Sequence, residues 1–197
     1  MEIIEIEKFS NSYLIKSKSA YLIDANDKES VVKNVKKLDY IFITHAHYDH
    51  ISDLYGILSY FCFRSKVFCH ELERKYVEGL KVLKRNFFDF PKVKKVYVEG
   101  FVGEKLKINK NVELMHTPGH TKGSISIFFK KEKVIFLGDL LVRNKFGTLD
   151  FSDEKNEDLD LIKESLKKII NLKFKYAYLG HGKKATKKEI KKFLSCF

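Results

Sequence analysis

Between His45 and His50 the chain sets three imidazoles and a carboxylate into six consecutive positions, directly behind the apolar run Tyr40 to Ile43. One or two histidines there would read as a wet turn after a strand. Three of the chain's seven histidines in one short stretch read instead as a metal site, because imidazole and carboxylate suit zinc, iron and manganese. Further along, His120 follows Thr117-Pro118-Gly119, Asp139 follows Gly138, and His181 follows Gly180. The candidate ligands are therefore His45, His47, Asp49, His50, His120, Asp139 and His181. A tetrahedral zinc takes four donors, so seven exceed one ion. Two divalent ions roughly 3.5 to 4 Å apart, sharing a carboxylate and a water, would use them all. His45 and His47, two apart in an extended segment, can face one ion while Asp49 and His50 turn toward the other. Such a pair would hold a hydroxide near neutral pH, with Asp49 as the catalytic residue that orients it and accepts a proton. The chemistry is then hydrolysis without a Ser or Cys nucleophile. His70, after a strand and before Glu71, reads as structural, and a role for His116 beside the metals stays open.

Ligands this scattered need elements that end together. Tyr40 to Ile43, Val134 to Leu137 and Tyr176 to Leu179 are each a four-residue apolar run followed by one small residue and then a candidate ligand. Buried strands ending at one sheet edge would deliver those side chains jointly, as open sheets deliver sites at strand ends. Around them, EIIEIEK, SYLIK and AYLID read as strands separated by polar turns, and KVFCH, KVYVEG, KLKI, VELM and SISIFF as further strands. DKESVVKNVKKL predicts a helix capped by Asp27 with Val31, Val32, Val35 and Leu38 on one face. A helix is expected over ISDLYGILSYF, another from near Glu71, and a third over Asp153 to Ile170 with Leu159, Ile162, Leu166 and Ile169 aligned. The last helix opens on ATKKE, where Thr186 and Glu189 can form a capping box.

THAHYDH, TPGHTKGS, GDLL and GHG, in that order, resemble the signatures of the metallo-β-lactamase-fold hydrolase superfamily, and the matches span Thr44 to Gly182. The resemblance implies an αββα sandwich of two mixed sheets flanked by helices, an α/β (α+β) fold with the metals at one edge. It implies that one ion takes His45, His47 and His120, the other takes Asp49, His50 and His181, and Asp139 bridges. It further implies a glyoxalase II-like core without the C-terminal helical domain. The implied activity is cleavage of a small acyl compound, a thioester, ester, lactone or amide, by a metal-bridging hydroxide. Two other readings use the same scaffold: a metal-dependent phosphodiesterase or RNase, and an iron-dependent oxidoreductase, members of which tend to lose the last histidine. Departures from the family pattern are Asp53 where glycine is frequent, Asn26 in the DAN turn, and Thr148 in place of an arginine in KFGTLD.

Composition bounds the rest. A chain of 197 residues is expected to form a single domain, residues 1–197, with a sizeable core. No apolar stretch approaches the roughly 18 residues of a membrane span, and the N-terminus carries interleaved charges, so the expected location is cytoplasmic. The three cysteines form no CxxC pair and are expected to be small core residues. Zinc is the first choice of metal, with iron or manganese as alternatives. The net charge of +12 is dispersed, so a small-molecule substrate is favoured over a nucleic-acid partner, and the oligomeric state is left open. Abundant Lys and Glu with few prolines and cysteines is also the surface habit of thermophilic proteins.

Overall fold

The computed structural model describes residues 1–81, 84–85, 88–89, 93–152 and 157–196. The chain divides into two compact units, Met1–Phe101 and Val102–Phe197. Each is built on a six-stranded mixed sheet.

In the first unit the strands run in the order Glu2–Glu7, Asn11–Lys16, Ala20–Ile23, Tyr40–Phe42, Lys66–His70 and Gly100–Val102, the last straddling the boundary. The first three pair antiparallel through tight turns, whereas Ala20–Ile23, Tyr40–Phe42 and Lys66–His70 are parallel neighbours. Parallel pairing requires crossovers, and the helix Lys28–Asn34 supplies one of them. Asp27 caps that helix by accepting from the Glu29 and Ser30 amides. The core gathers Leu14, Leu22, Val31, Ile41, Ile43, Ile57, Leu58 and Cys69, all nearly inaccessible. Central strands buried this deeply explain why YIFI reads as a continuous apolar run rather than an alternating one.

The second unit orders its strands Ala185–Thr186, Tyr176–Tyr178, Val134–Phe136, Ile125–Phe129, Val112–His116 and Lys105–Lys107. Among the described residues only Val134–Phe136 and Tyr176–Tyr178 of this unit pair in parallel, and the helix Leu159–Ile170 lies between them in sequence. Ile162, Leu166 and Ile169 bury that helix against Ile135, Leu137 and Ala177 within one apolar cluster. The closing helix, Lys187–Leu194, carries the expected capping box: Thr186 accepts from the Glu189 amide while Glu189 accepts from the Thr186 amide.

Several elements differ from the sequence expectation. The first helix stops at Asn34, and Val35, already extended, returns its amide to Val31. The helix expected over Ile51 to Phe61 is two, Tyr48–Ile51 and Leu54–Tyr60, parted at Ser52 and Asp53. From Glu71 a short 3₁₀ turn leads into Arg74–Val77. KVYVEG supplies only Gly100 to a strand. Leu159 is exposed rather than in line with Ile162. Of the helix expected from Asp153, residues 153–156 lie outside the described residues, and Glu157 and Asp158 precede the helix. Only Cys69 is a core cysteine. Cys62 is exposed in the positive-φ turn that ends Leu54–Tyr60, and Cys196 is exposed past the last helix.

Candidate metal centre

The first unit carries four of the expected ligands on one strand-to-helix turn. Past Tyr40–Phe42 the chain bends at Thr44 and reaches His47, whose φ of −63° and ψ of 144° make it the cap of the helix Tyr48–Ile51. Asp49 and His50 sit in the first turn of that helix, beyond His45 and His47. The rings of His45 and His47 are 4.5 Å apart and those of His45 and His50 are 4.1 Å apart, centroid to centroid. His45, His47 and His50 are buried, and Asp49 is partly exposed.

What holds these rings is a carboxylate that the motif reading passed over. Asp24, 1% exposed, ends the run AYLI and accepts at Oδ1 from the Thr44 amide (2.8 Å) and at Oδ2 from the Thr44 hydroxyl (2.8 Å). Its Oδ2 also lies 2.8 Å from His50 Nδ1. The carboxylate accepts, so His50 carries its proton on Nδ1 and its lone pair on Nε2. Thr44 Oγ1, having donated to Asp24, can accept from His45 Nδ1 at 3.0 Å, which gives His45 the same tautomer. Burial raises the Asp24 carboxyl above its ordinary range, and His50 and Thr44 pull it back. The signal was present in the sequence: AYLI-Asp24 is a fourth apolar run ending in a ligand-type residue, lacking only the small spacer.

Two further supports lie beneath the turn. Glu73, 3% exposed, accepts the Ala46 amide at 3.0 Å, between His45 and His47. Asn26 donates to Ser10 Oγ (2.9 Å), which donates in turn to the Asp49 carbonyl at 2.8 Å. Asn26, a departure from the family pattern, thus belongs to the scaffold of the turn. Asp53 does too, accepting the Lys28 amide at 3.1 Å.

The second unit holds the other three. Asp139 follows Val134–Phe136 on a 3₁₀ turn, and His181 follows the parallel neighbour Tyr176–Tyr178. The two turns are joined by the Gly180 amide donating to the Gly138 carbonyl at 2.8 Å. His120 ends the Thr117-Pro118-Gly119 turn, where Gly119 takes φ of 140° and a Cβ would fall 2.3 Å from Ile162 Cγ1. Only glycine allows that approach. Asp139 Oδ2 lies 3.6 Å from His120 Nε2 and 3.3 Å from His181 Nε2. In the first unit His50 Nε2 and Asp49 Oδ2 are 3.5 Å apart.

These separations test whether a metal fits. A hydrogen bond between such atoms would close to about 2.7–3.2 Å, whereas donors at about 2.0–2.1 Å from one tetrahedral ion stand about 3.3 Å apart. The observed 3.3, 3.5 and 3.6 Å are nearer the spacing of metal-ligand atoms than that of hydrogen-bonded ones. Ligand atoms of His45 and His47, of Asp49 and His50, and of His120 and Asp139 also lie within 4.8 Å of one another.

The remaining two histidines make hydrogen bonds to nearby backbone. His116 Nε2 bonds the Lys122 carbonyl at 2.9 Å, closing the TPGHTK turn. His70 Nδ1 accepts the Leu72 amide at 3.2 Å and caps the 3₁₀ turn after its strand.

Comparison with known proteins identifies the family. The family model described as metallo-beta-lactamase superfamily matches residues 6–181. A probable metallo-hydrolase from Methanocaldococcus jannaschii is 31% identical over 185 residues, 88% of this chain and 87% of its own length. Hydroxyacylglutathione hydrolase GloC of Haemophilus influenzae is 28% identical over 163 residues, 77% of this chain and 76% of its own. The crystal structure of the BLEG-1 B3 metallo-beta-lactamase superposes with a TM-score of 0.78 at 26% identity, covering 98% of this chain and 99% of that one.

Proposed function

Since the chain belongs to the metallo-beta-lactamase superfamily and is a metal-binding hydrolase of that fold, we propose that it cleaves a small acyl compound with two divalent ions held by its seven His and Asp residues. His45, His47 and His120 would hold one ion, Asp49, His50 and His181 the other, and Asp139 both. Under this reading residues 1–197 act as one domain. The observation that carries this reading is the position of Asp139, one carboxylate oxygen standing at 3.6 and 3.3 Å from two imidazole nitrogens. Zinc is the first candidate, with iron or manganese compatible with the same donors.

When bound, such ions lower the pKa of water toward neutrality and polarise a carbonyl oxygen. The chain's own residues do the rest. Asp24 keeps His50 protonated at Nδ1, and Thr44, which donates to Asp24, does the same for His45, so both offer Nε2. Asp49, partly exposed and pinned through its carbonyl by Ser10, presents its carboxylate to take a proton from the attacking water. The acyl class is supported by the relative GloC, whose name gives a hydroxyacylglutathione substrate.

Metal-loaded protein should cleave members of a panel of thioesters, esters and lactones faster than bis-p-nitrophenyl phosphate, and EDTA should stop all turnover. The +12 charge will attract polyanions, but that binding should fall steeply with salt while hydrolysis of a neutral ester barely responds. Efficient cutting of RNA at physiological salt, with the acyl panel inert, would replace this reading by a nuclease.

A further inference from the structure

In the second unit a buried carboxylate unused by the proposed chemistry reaches a proposed ligand. Glu157 Oε1 lies 2.7 Å from His120 Nδ1 and 2.6 Å from Ser152 Oγ, and Ser152 Oγ lies 3.1 Å from the same ring nitrogen. The His120 and Glu157 side chains are 1% and 4% exposed. A carboxylate buried so deeply is costly unless donors meet it, and the Ser152 hydroxyl and the His120 Nδ1–H meet this one.

We propose that Glu157, braced by Ser152, is a positioning residue for His120 as a metal ligand. As an acceptor, Glu157 keeps the ring proton on Nδ1, which leaves the lone pair on Nε2, the nitrogen 3.6 Å from Asp139 Oδ2. It also fixes the ring plane and enriches Nε2 in electron density, the general service that a carboxylate gives a metal-bound imidazole. The backbone builds the clamp in. The Asp158 amide donates to the Gly119 carbonyl at 2.9 Å, and Ser165 Oγ donates to the Pro118 carbonyl at 2.8 Å, so the segment bearing Glu157 is tied to the turn bearing His120. Asp24 gives His50 the same service in the first unit, from an unrelated position in the sequence.

The inference rests on His120 being a ligand, and the test separates the two claims. Metal-free protein and its variants compete with a chromogenic chelator for Zn²⁺. Glu157→Gln should weaken the tighter-held ion about tenfold to a hundredfold, Glu157→Ala by at least as much, and Ser152→Ala by a few-fold. The thermal midpoints of the metal-free variants should stay within a few degrees of wild type. Because the Gln oxygen still accepts the Nδ1–H bond, a merely structural role would be rescued in Glu157→Gln, whereas loss of the charge would not. In ¹⁵N spectra of the zinc-loaded wild type, His120 should carry its proton on Nδ1. Wild-type affinity in both Glu157 variants, or a zinc-loaded His120 with no proton on Nδ1, overturns the proposal. Unchanged zinc stoichiometry and affinity in His120→Ala overturns the metal assignment beneath it.

Discussion

At the scale of single residues, the site turns on which atom carries a proton and which carries a lone pair. Asp139 stands between two imidazoles, while Asp49 stands beside one. Asp139→Ala should therefore cost more bound metal than Asp49→Asn, because a shared ligand serves two ions and an amide oxygen can still approach one. Elemental analysis after dialysis should find about one ion or fewer per chain in the first variant and nearer two in the second, with turnover largely lost in both. Equal loading in the two variants would remove Asp139 from its bridging position. Asp24, Thr44, Glu73 and Glu157 do different work from the ligands. Asp24 and Glu157 meet ring nitrogens of His50 and His120, Thr44 meets that of His45, and Glu73 holds the Ala46 amide between His45 and His47.

At the scale of elements, turns do the positioning, and their tolerances can be measured. Gly119→Ala would set a Cβ 2.3 Å from Ile162 Cγ1 and 2.6 Å from the Ile162 amide nitrogen, at a φ of 140°. The turn must move away from the helix Leu159–Ile170 and take His120 with it. We expect a loss of about 2 kcal/mol or more in thermal or denaturant unfolding, accompanied by weaker zinc binding. The closing helix offers a pH test. Glu189 is held at about 2, against an ordinary 4.5, by the Thr186 amide and hydroxyl first and by Arg143 after them. A depressed carboxylate lends stability above its unfolded pKa and loses it as pH falls through the folded one. The gap in midpoint between wild type and Glu189→Gln should thus be present at pH 6, shrink below about pH 4.5 and vanish near pH 2; with its side chain 44% exposed, it should be a small gap.

The same elements show what the sequence could reveal. Apolar runs such as YIFI and VIFL mark buried strands because side chains on both faces leave water, and a cap such as Asp27 or Thr186 acts on amides two or three residues away. Both are local, and both were legible. The break at Ser52 and Asp53 was not, because Asp53 bonds the Lys28 amide of another helix rather than one in its own first turn. In the sequence Glu157 is one more charge in a helical run, and Asp24 is the last residue of the strand AYLID. Each takes its meaning from a histidine 37 or 26 positions away.

At the scale of the whole molecule, each unit encloses its own apolar cluster, and Cys69 lies in the first. Burial pushes its thiol well up, with Glu73 and Glu78 adding to the effect, while Cys62 and Cys196 are exposed. The three thiols therefore form a built-in clock. With a disulfide reagent such as Ellman's, two equivalents should react promptly in native buffer. The third should appear at a rate equal to its intrinsic reactivity multiplied by the fraction of molecules whose first unit is open. Saturating zinc should slow only that third equivalent if four of the ion donors belong to this unit, since an ion bound to the closed form depletes the open one. Three fast equivalents, or a slow phase indifferent to zinc, would contradict that coupling. A buried sulfur that takes no part in the proposed catalysis thus reports, without any engineered label, how often the ligand-bearing sheet opens.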